Sequence, residues 1–139
     1  MTVHVRFQQT LPLRVPEWIL AGMMLFWGWN VLSHIGMFAG NPSFRAMLNI
    51  MPQSAWGSGA LALGLAGLVG LAINGFWKAT PFIRTASAFG RAFLWLQIHF
   101  GIYASGTPST GTVVYLGLVS LEIWNIYRAM GDARTALTK

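Results

Sequence analysis

The chain of 139 residues contains no cysteine. This removes disulfides, iron–sulfur clusters, thiolate zinc sites and cysteine nucleophiles together, and leaves the compartment open. Acidic side chains are almost as scarce, three Asp and Glu against nine Lys and Arg, for a net charge of +6. Charged residues make up 9% of the chain, where a soluble domain carries about 25%. That supply cannot keep a water-facing surface wet. With 55% of the residues apolar, the sequence predicts an all-α integral membrane protein covered by lipid. Enzyme chemistry also lacks its usual signs. There is no Gly-x-Ser-x-Gly, His-Glu-x-x-His or P-loop pattern, so a non-enzyme is expected.

What is present is a series of apolar runs. They predict a single membrane domain over 1–139 with four transmembrane helices, at about 18–38, 55–77, 86–104 and 110–127. Each is near the roughly 20 residues that cross the hydrocarbon layer. Pro16 suits the first helical turn, and Glu17 complements the positive end of the helix dipole. The first run is too long for a cleaved signal peptide and no small-x-small cleavage site follows it, so it reads as a retained span. Before it, Val3, Val5 and Phe7 alternate with His4 and Arg6, as in a short extended arm or interfacial segment. Asn41-Pro42 reads as a helix start, and Phe44, Met47, Leu48 and Met51 follow at helical spacing until Pro52. This predicts a short amphipathic helix over 42–51, too short to span and suited to the headgroup plane. Asn74-Gly75 reads as a helix stop, Thr80-Pro81 as a start, and Ser105-Gly106-Thr107-Pro108 as a turn.

Basic residues set the orientation. With four spans, eight of the nine fall on one side (Arg6, Arg14, Lys78, Arg84, Arg91, Arg128, Arg134 and Lys139) and only Arg45 on the other. The positive-inside rule makes the eight-base side cytoplasmic, with both termini there, and the natural setting is a bacterial inner membrane. Because the bases stand singly at the ends of apolar runs, they fit anionic headgroups rather than nucleic acid. Trp18, Trp77, Trp124 and Tyr127 would form the inner aromatic belt, and Trp56, Tyr103 and Tyr115 the outer one.

Chemistry, if any, has to sit on the intramembrane polar residues, since a charge there costs at least about 2.5 kcal/mol and is usually paired. Counted outward from the turn at Gly106-Thr107, Arg91 and Glu122 lie equally far along an antiparallel hairpin and should meet. The pair reads as a structural lock or as a gate. In the alternative, Arg91 snorkels to the headgroups and Glu122 turns to Asn125 or Asn74. Toward the other end, Asn30, His34, Gln97 and His99 form a second polar level. His34 and His99 share a depth at which two histidines can hold a haem or a metal. With no carboxylate beside them, interhelical hydrogen bonding is preferred, and neither metal nor cofactor is assigned. In the second span, Ser58, Ala62, Ala66 and Gly70 recur at i+4 as a ridge that lets another helix approach, within the monomer or in a homo-oligomer.

At Asn74-Gly75-Phe76-Trp77-Lys78, Thr80-Pro81, Arg84 and the tail Tyr127-Arg128-Ala129 with Asp132-Ala133-Arg134, the chain resembles small polytopic membrane proteins of phage and prophage genomes. The resemblance implies a virus-related setting, with holin-like permeabilisation as one role. Three functional readings follow, in order. The first is a membrane scaffold or accessory subunit acting through helix packing in a larger assembly. The second is a holin-like permeabiliser, and the third a small transporter or channel using Arg91 and Glu122.

Overall fold

The computed structural model describes residues 14–74 and 76–138. The segment with Val3, Val5 and Phe7 lies outside the described residues. Among these, regular structure is helical: α1 (Val15–Ser33), a single turn α2 (Met37–Gly40), a 3-10 helix (Pro42–Asn49), α3 (Gln53–Ala72), α4 (Thr80–Ala104) and α5 (Gly111–Leu137). The four long helices run up, down, up and down. α1 packs most extensively on α3, and α4 on α5, while α3 and α4 join the two pairs. The start of α1 and the last turns of α5 lie side by side, since Arg14 bonds to Asp132.

Glycine decides how closely α1 and α3 approach. A Cβ on Gly28 would stand 2.5 Å from the Leu61 nitrogen and 2.7 Å from the Gly57 carbonyl oxygen, and one on Gly64 would stand 2.7 Å from the Leu25 Cα. The two backbones touch at these points, so only glycine fits. Within the monomer, the ridge expected from the sequence is packed at Gly70 alone. Ser58 and Ala62 are exposed and Ala66 only partly buried. The packed face of α3 is instead Gly57, Ala60, Gly64, Gly67 and Gly70. Both stripes have helical spacing. The closest backbone approaches fall at Gly28 and Gly64, where no Cβ stands between the helices.

The first apolar run, expected to be helical through Phe38, breaks at Ser33. The chain bends at His34, Gly36 takes the left-handed region (φ 79°), and the turn of α2 folds Phe38 back into the core. The break leaves backbone groups without helical partners. Gln53, the first residue of α3, takes three of them: its Nε2 donates to the carbonyls of Val31 and His34 (both 2.7 Å), and its Oε1 accepts from the Phe38 N–H (2.9 Å). The amphipathic segment expected over 42–51 is a 3-10 helix ending at Asn49, with Asn41 Oδ1 capping Ser43 N at 3.0 Å. Three residues per turn aligns Phe44 with Met47, and both are buried, Phe44 stacked on Phe38 and Met47 against Gly101. Leu48 turns outward. The segment therefore closes the end of the bundle rather than lying apart from it. Trp56, expected in an outer belt, is 2% exposed and donates its indole N–H to Met47 O at 3.1 Å. Tyr115 is half-buried against Trp95, with ring centres 5.6 Å apart. Trp77, Tyr103, Trp124 and Tyr127 are exposed.

Of these helices, Gln53–Ala72 is long and apolar enough to cross a membrane by length and composition. The other long helices carry the ionised residues described below. Their exposed faces are nonetheless apolar: Ile19, Met23, Phe26 and Trp29 on α1, Phe82, Phe89, Phe93 and Phe100 on α4, and Val113, Leu116, Leu121 and Ile123 on α5.

The glycine contact yields a discriminating test. Gly28→Ala and Gly64→Ala should each lower stability by about 1–3 kcal/mol, the usual cost of forcing atoms into a filled interface. Ala62→Val, on the exposed stripe, should leave it unchanged within about 0.5 kcal/mol. Thermal denaturation of the purified protein in detergent checks the three variants side by side.

Candidate functional site

α4 carries Arg84, Ser87 and Arg91 at i, i+3 and i+7, and so on one helix face. α5 presents Glu122, Asn125, Ala129 and Asp132 at i, i+3, i+7 and i+10. Ala88 and Ala92 on α4, with Ala129 and Ala133 on α5, are buried and small enough to bring these faces together.

The structure brings Arg91 and Glu122 together as a two-pronged pair, Nε to Oε1 at 2.6 Å and Nη2 to Oε2 at 3.0 Å. Both side chains are buried. Asn125 Nδ2 donates to Oε2 at 3.2 Å, and the remaining guanidinium nitrogen, Nη1, donates to Ser87 Oγ at 3.4 Å. The guanidinium also lies over Gly67 of α3, where a Cβ would collide with Nη1. Arg91 therefore turns inward across the bundle and does not snorkel.

A second cluster sits toward the end where the described chain begins and finishes. Arg84 Nε and Nη2 donate to Glu17 Oε2 and Oε1 at 2.8 and 2.5 Å. Its Nη1 donates to Asp132 Oδ2 at 2.8 Å and to Asn74 Oδ1 at 3.4 Å, and Arg14 Nη2 donates to Asp132 Oδ2 at 3.1 Å. Glu17 and Arg84 are buried, and Asp132 is half-exposed. Ser87 links the clusters, donating to Arg84 O at 3.1 Å while accepting from Arg91. The sequence reading assigned Glu17 to the helix dipole and Asp132 to a polar tail. Both are corrected: Glu17 pairs with Arg84, and α5 continues unbroken to Leu137, carrying Asp132 into the cluster. Each of the three carboxylates in the chain is thus held by an arginine. Arg14 has its pKa lowered, by burial first and then by Arg84, against the opposing pull of Asp132 and Glu17.

The remaining polar residues are not gathered into one site. His34 is exposed and its Nδ1–H donates within its own turn to Asn30 O at 2.9 Å. His99 donates from Nδ1 to Thr112 O at 2.8 Å, tying α4 to the start of α5. Each imidazole is engaged separately, and among the described residues no group of three or more His, Asp or Glu is placed to hold a metal. Asn30 and Gln97 are partly exposed and enter neither cluster. Asn74 belongs to the Arg84 cluster and Asn125 to the Arg91 cluster. Three buried side-chain atoms have no partner among the described residues, Arg14 Nη1, Trp95 Nε1 and Asn125 Oδ1.

No family model, curated protein or solved structure matches the chain.

Removing one partner of a buried pair strands the other charge, at a cost of about 3–5 kcal/mol, while apolar replacement of both is often neutral or better. Arg91→Ala and Glu122→Ala should each sharply reduce folded yield and melting temperature, and Arg91→Met with Glu122→Leu should restore them. Full stability of either single variant excludes a structural lock. Arg84→Lys should also destabilise, since an ammonium cannot reproduce a fork shared by two carboxylates from two helices. Comparing it with the half-exposed neighbour, as Asp132→Asn, should show the larger loss at Arg84. Size-exclusion profiles and melting temperatures in detergent read both sets.

Proposed function

We propose that the protein is a non-enzymatic integral membrane scaffold or accessory subunit. In this reading the four long helices cross the bilayer, the ends near Arg14 and Thr138 face the cytoplasm, and the membrane is a bacterial inner one. The observation that carries the reading is the inverted distribution of polarity. The carboxylates and their arginines lie among the helices, while large apolar side chains cover the outward faces of α1, α4 and α5. In water this arrangement would expose far more contiguous apolar surface than a soluble monomer tolerates. In lipid it is the expected one, with ionised groups turned inward and paired. α4 and α5, at 25 and 27 residues, exceed the roughly 20 needed to span, which leaves the Arg84 cluster at the headgroup level. The excess of basic residues at that end supports the cytoplasmic assignment.

The scaffold role rests on the engagement of each carboxylate in an ion pair, an arrangement suited to holding shape. Such a protein acts through its surfaces, in a homo-oligomer or a larger membrane assembly. The test joins topology to activity. Topology reporters fused at either end should both report the cytoplasmic side, and alkaline carbonate should leave the protein in the membrane fraction. Controlled expression in a bacterium should leave the membrane potential intact, and cross-linking should capture discrete partners or copies. Carbonate extraction, or ends on opposite sides, would overturn the membrane arrangement. Sudden depolarisation after a delay would replace the scaffold with a holin-like permeabiliser, and steady, substrate-dependent leakage would point to a channel through the Arg91–Glu122 region.

A further inference from the structure

An open pocket of about 610 Å³ lies beside the Arg84 cluster, with Arg14, Lys78, Asn74, Asp132 and Thr135 on its polar side and Phe76, Trp77 and Pro81 on its apolar side. Its charge is unbalanced. Arg14 stands among Arg84 and Arg128, which repel it, and Glu17 and Asp132, which attract it. Lys78 adds a further positive charge, so two basic side chains, Arg14 and Lys78, line the pocket with one carboxylate, Asp132. That carboxylate is shared between Arg84 and Arg14, and Glu17 is committed to Arg84. Arg14 is buried enough to have lost much of its hydration, yet its Nη1 has no acceptor among the described residues. Asn74 gives its carbonyl to Arg84 and so keeps its amide N–H₂ as a donor. The pocket therefore offers more donors than acceptors, its one carboxylate already bonded to two arginines, next to exposed aromatic rings. Its volume is that of an ordinary small-ligand site.

We propose that this pocket binds a phosphate ester, with Arg14 and Lys78 meeting the phosphate oxygens and Phe76 and Trp77 contacting an attached apolar chain. The chemistry is that of an anionic phospholipid headgroup or a soluble phosphate. The lipid source rests on the membrane placement proposed above, while the phosphate site itself does not.

The test uses the full chain purified in detergent, with phosphatidylglycerol, phosphatidylcholine or inorganic phosphate added. Lipid retention is read by native mass spectrometry and stability by melting temperature. Phosphatidylglycerol should be retained and raise the melting temperature, and phosphatidylcholine should do so much less. Lys78→Gln, which touches neither ion-pair cluster, should weaken phosphatidylglycerol retention about five-fold, the change expected for one basic side chain near a lipid surface. Arg14→Gln should weaken it at least as much, and Arg45→Gln, at the opposite end of the bundle, should not. If inorganic phosphate alone reproduces the stabilisation and Lys78→Gln abolishes it, the site holds with a soluble ligand, even if the chain proves extractable from membranes. Equal retention of the two lipids with no response to phosphate, or equal losses in the Lys78 and Arg45 variants, would overturn the proposal.

Discussion

Arg84 stands where α1, α4 and α5 meet, and its guanidinium has a fixed fork of donors that no other side chain offers. Two of its nitrogens hold Glu17 of α1 and the third holds Asp132 of α5. α1 makes few backbone approaches to α4 or α5, being packed on α3. The ionic contact therefore fixes an angle and a register that apolar packing leaves loosely determined. Ser87 extends the constraint by one turn to Arg91, whose own fork locks α4 to α5. The two clusters follow one another along one face of α4. Displacing Arg84 or Arg91 strands a buried carboxylate, Glu17 or Glu122, and this makes each pair a stronger constraint than its individual bonds suggest.

At the opposite end, neutral groups do the equivalent work. Gln53 closes the break after α1, and the Trp56 indole holds the 3-10 segment to the head of α3. Phe38, Phe44, Trp27, Trp95 and Tyr115 fill the space beneath with tilted and stacked rings. Charge at one end and neutral amides with aromatics at the other give the bundle polarity along its axis. The contrast matches the one-sided distribution of basic residues in the sequence.

The parts of this arrangement that could be read in advance are those set by local counting. Helix-scale apolar runs, the proline and asparagine starts, and the Arg91–Glu122 pair all follow from spacing about a single short turn. The same outward count placed Ala129 opposite Arg84 and Asp132 one turn beyond, so half of the second cluster was within reach. It was missed because the run of apolar residues fades after Tyr127 although the helix does not end there. Glu17–Arg84 was beyond any such count, since four connections separate the partners and their angles are set by tertiary packing. The packing stripe on α3 was misplaced for a related reason. Ala62 and Gly64 are equally small to a pattern search, and only the path of α1 distinguishes the side that needs no Cβ. The break at His34 depends on a partner, Gln53, that is 19 residues away.

On the proposed membrane placement, the ion pairs also bear on how the chain enters the bilayer. α4 contributes two arginines and α5 two carboxylates, and each unpaired charge carries a penalty of about 2.5–3.5 kcal/mol near the centre of a span. Entered singly, either helix would meet that penalty without relief from its neighbour. Entered as a hairpin joined at Gly106-Thr107, Arg91 and Glu122 reach the same depth already paired, and Ala88, Ala92, Ala129 and Ala133 let the two backbones close without obstruction. α3 carries no ionised residue and needs no such help. The Arg91–Glu122 pair is thus a property of the hairpin rather than of either helix alone.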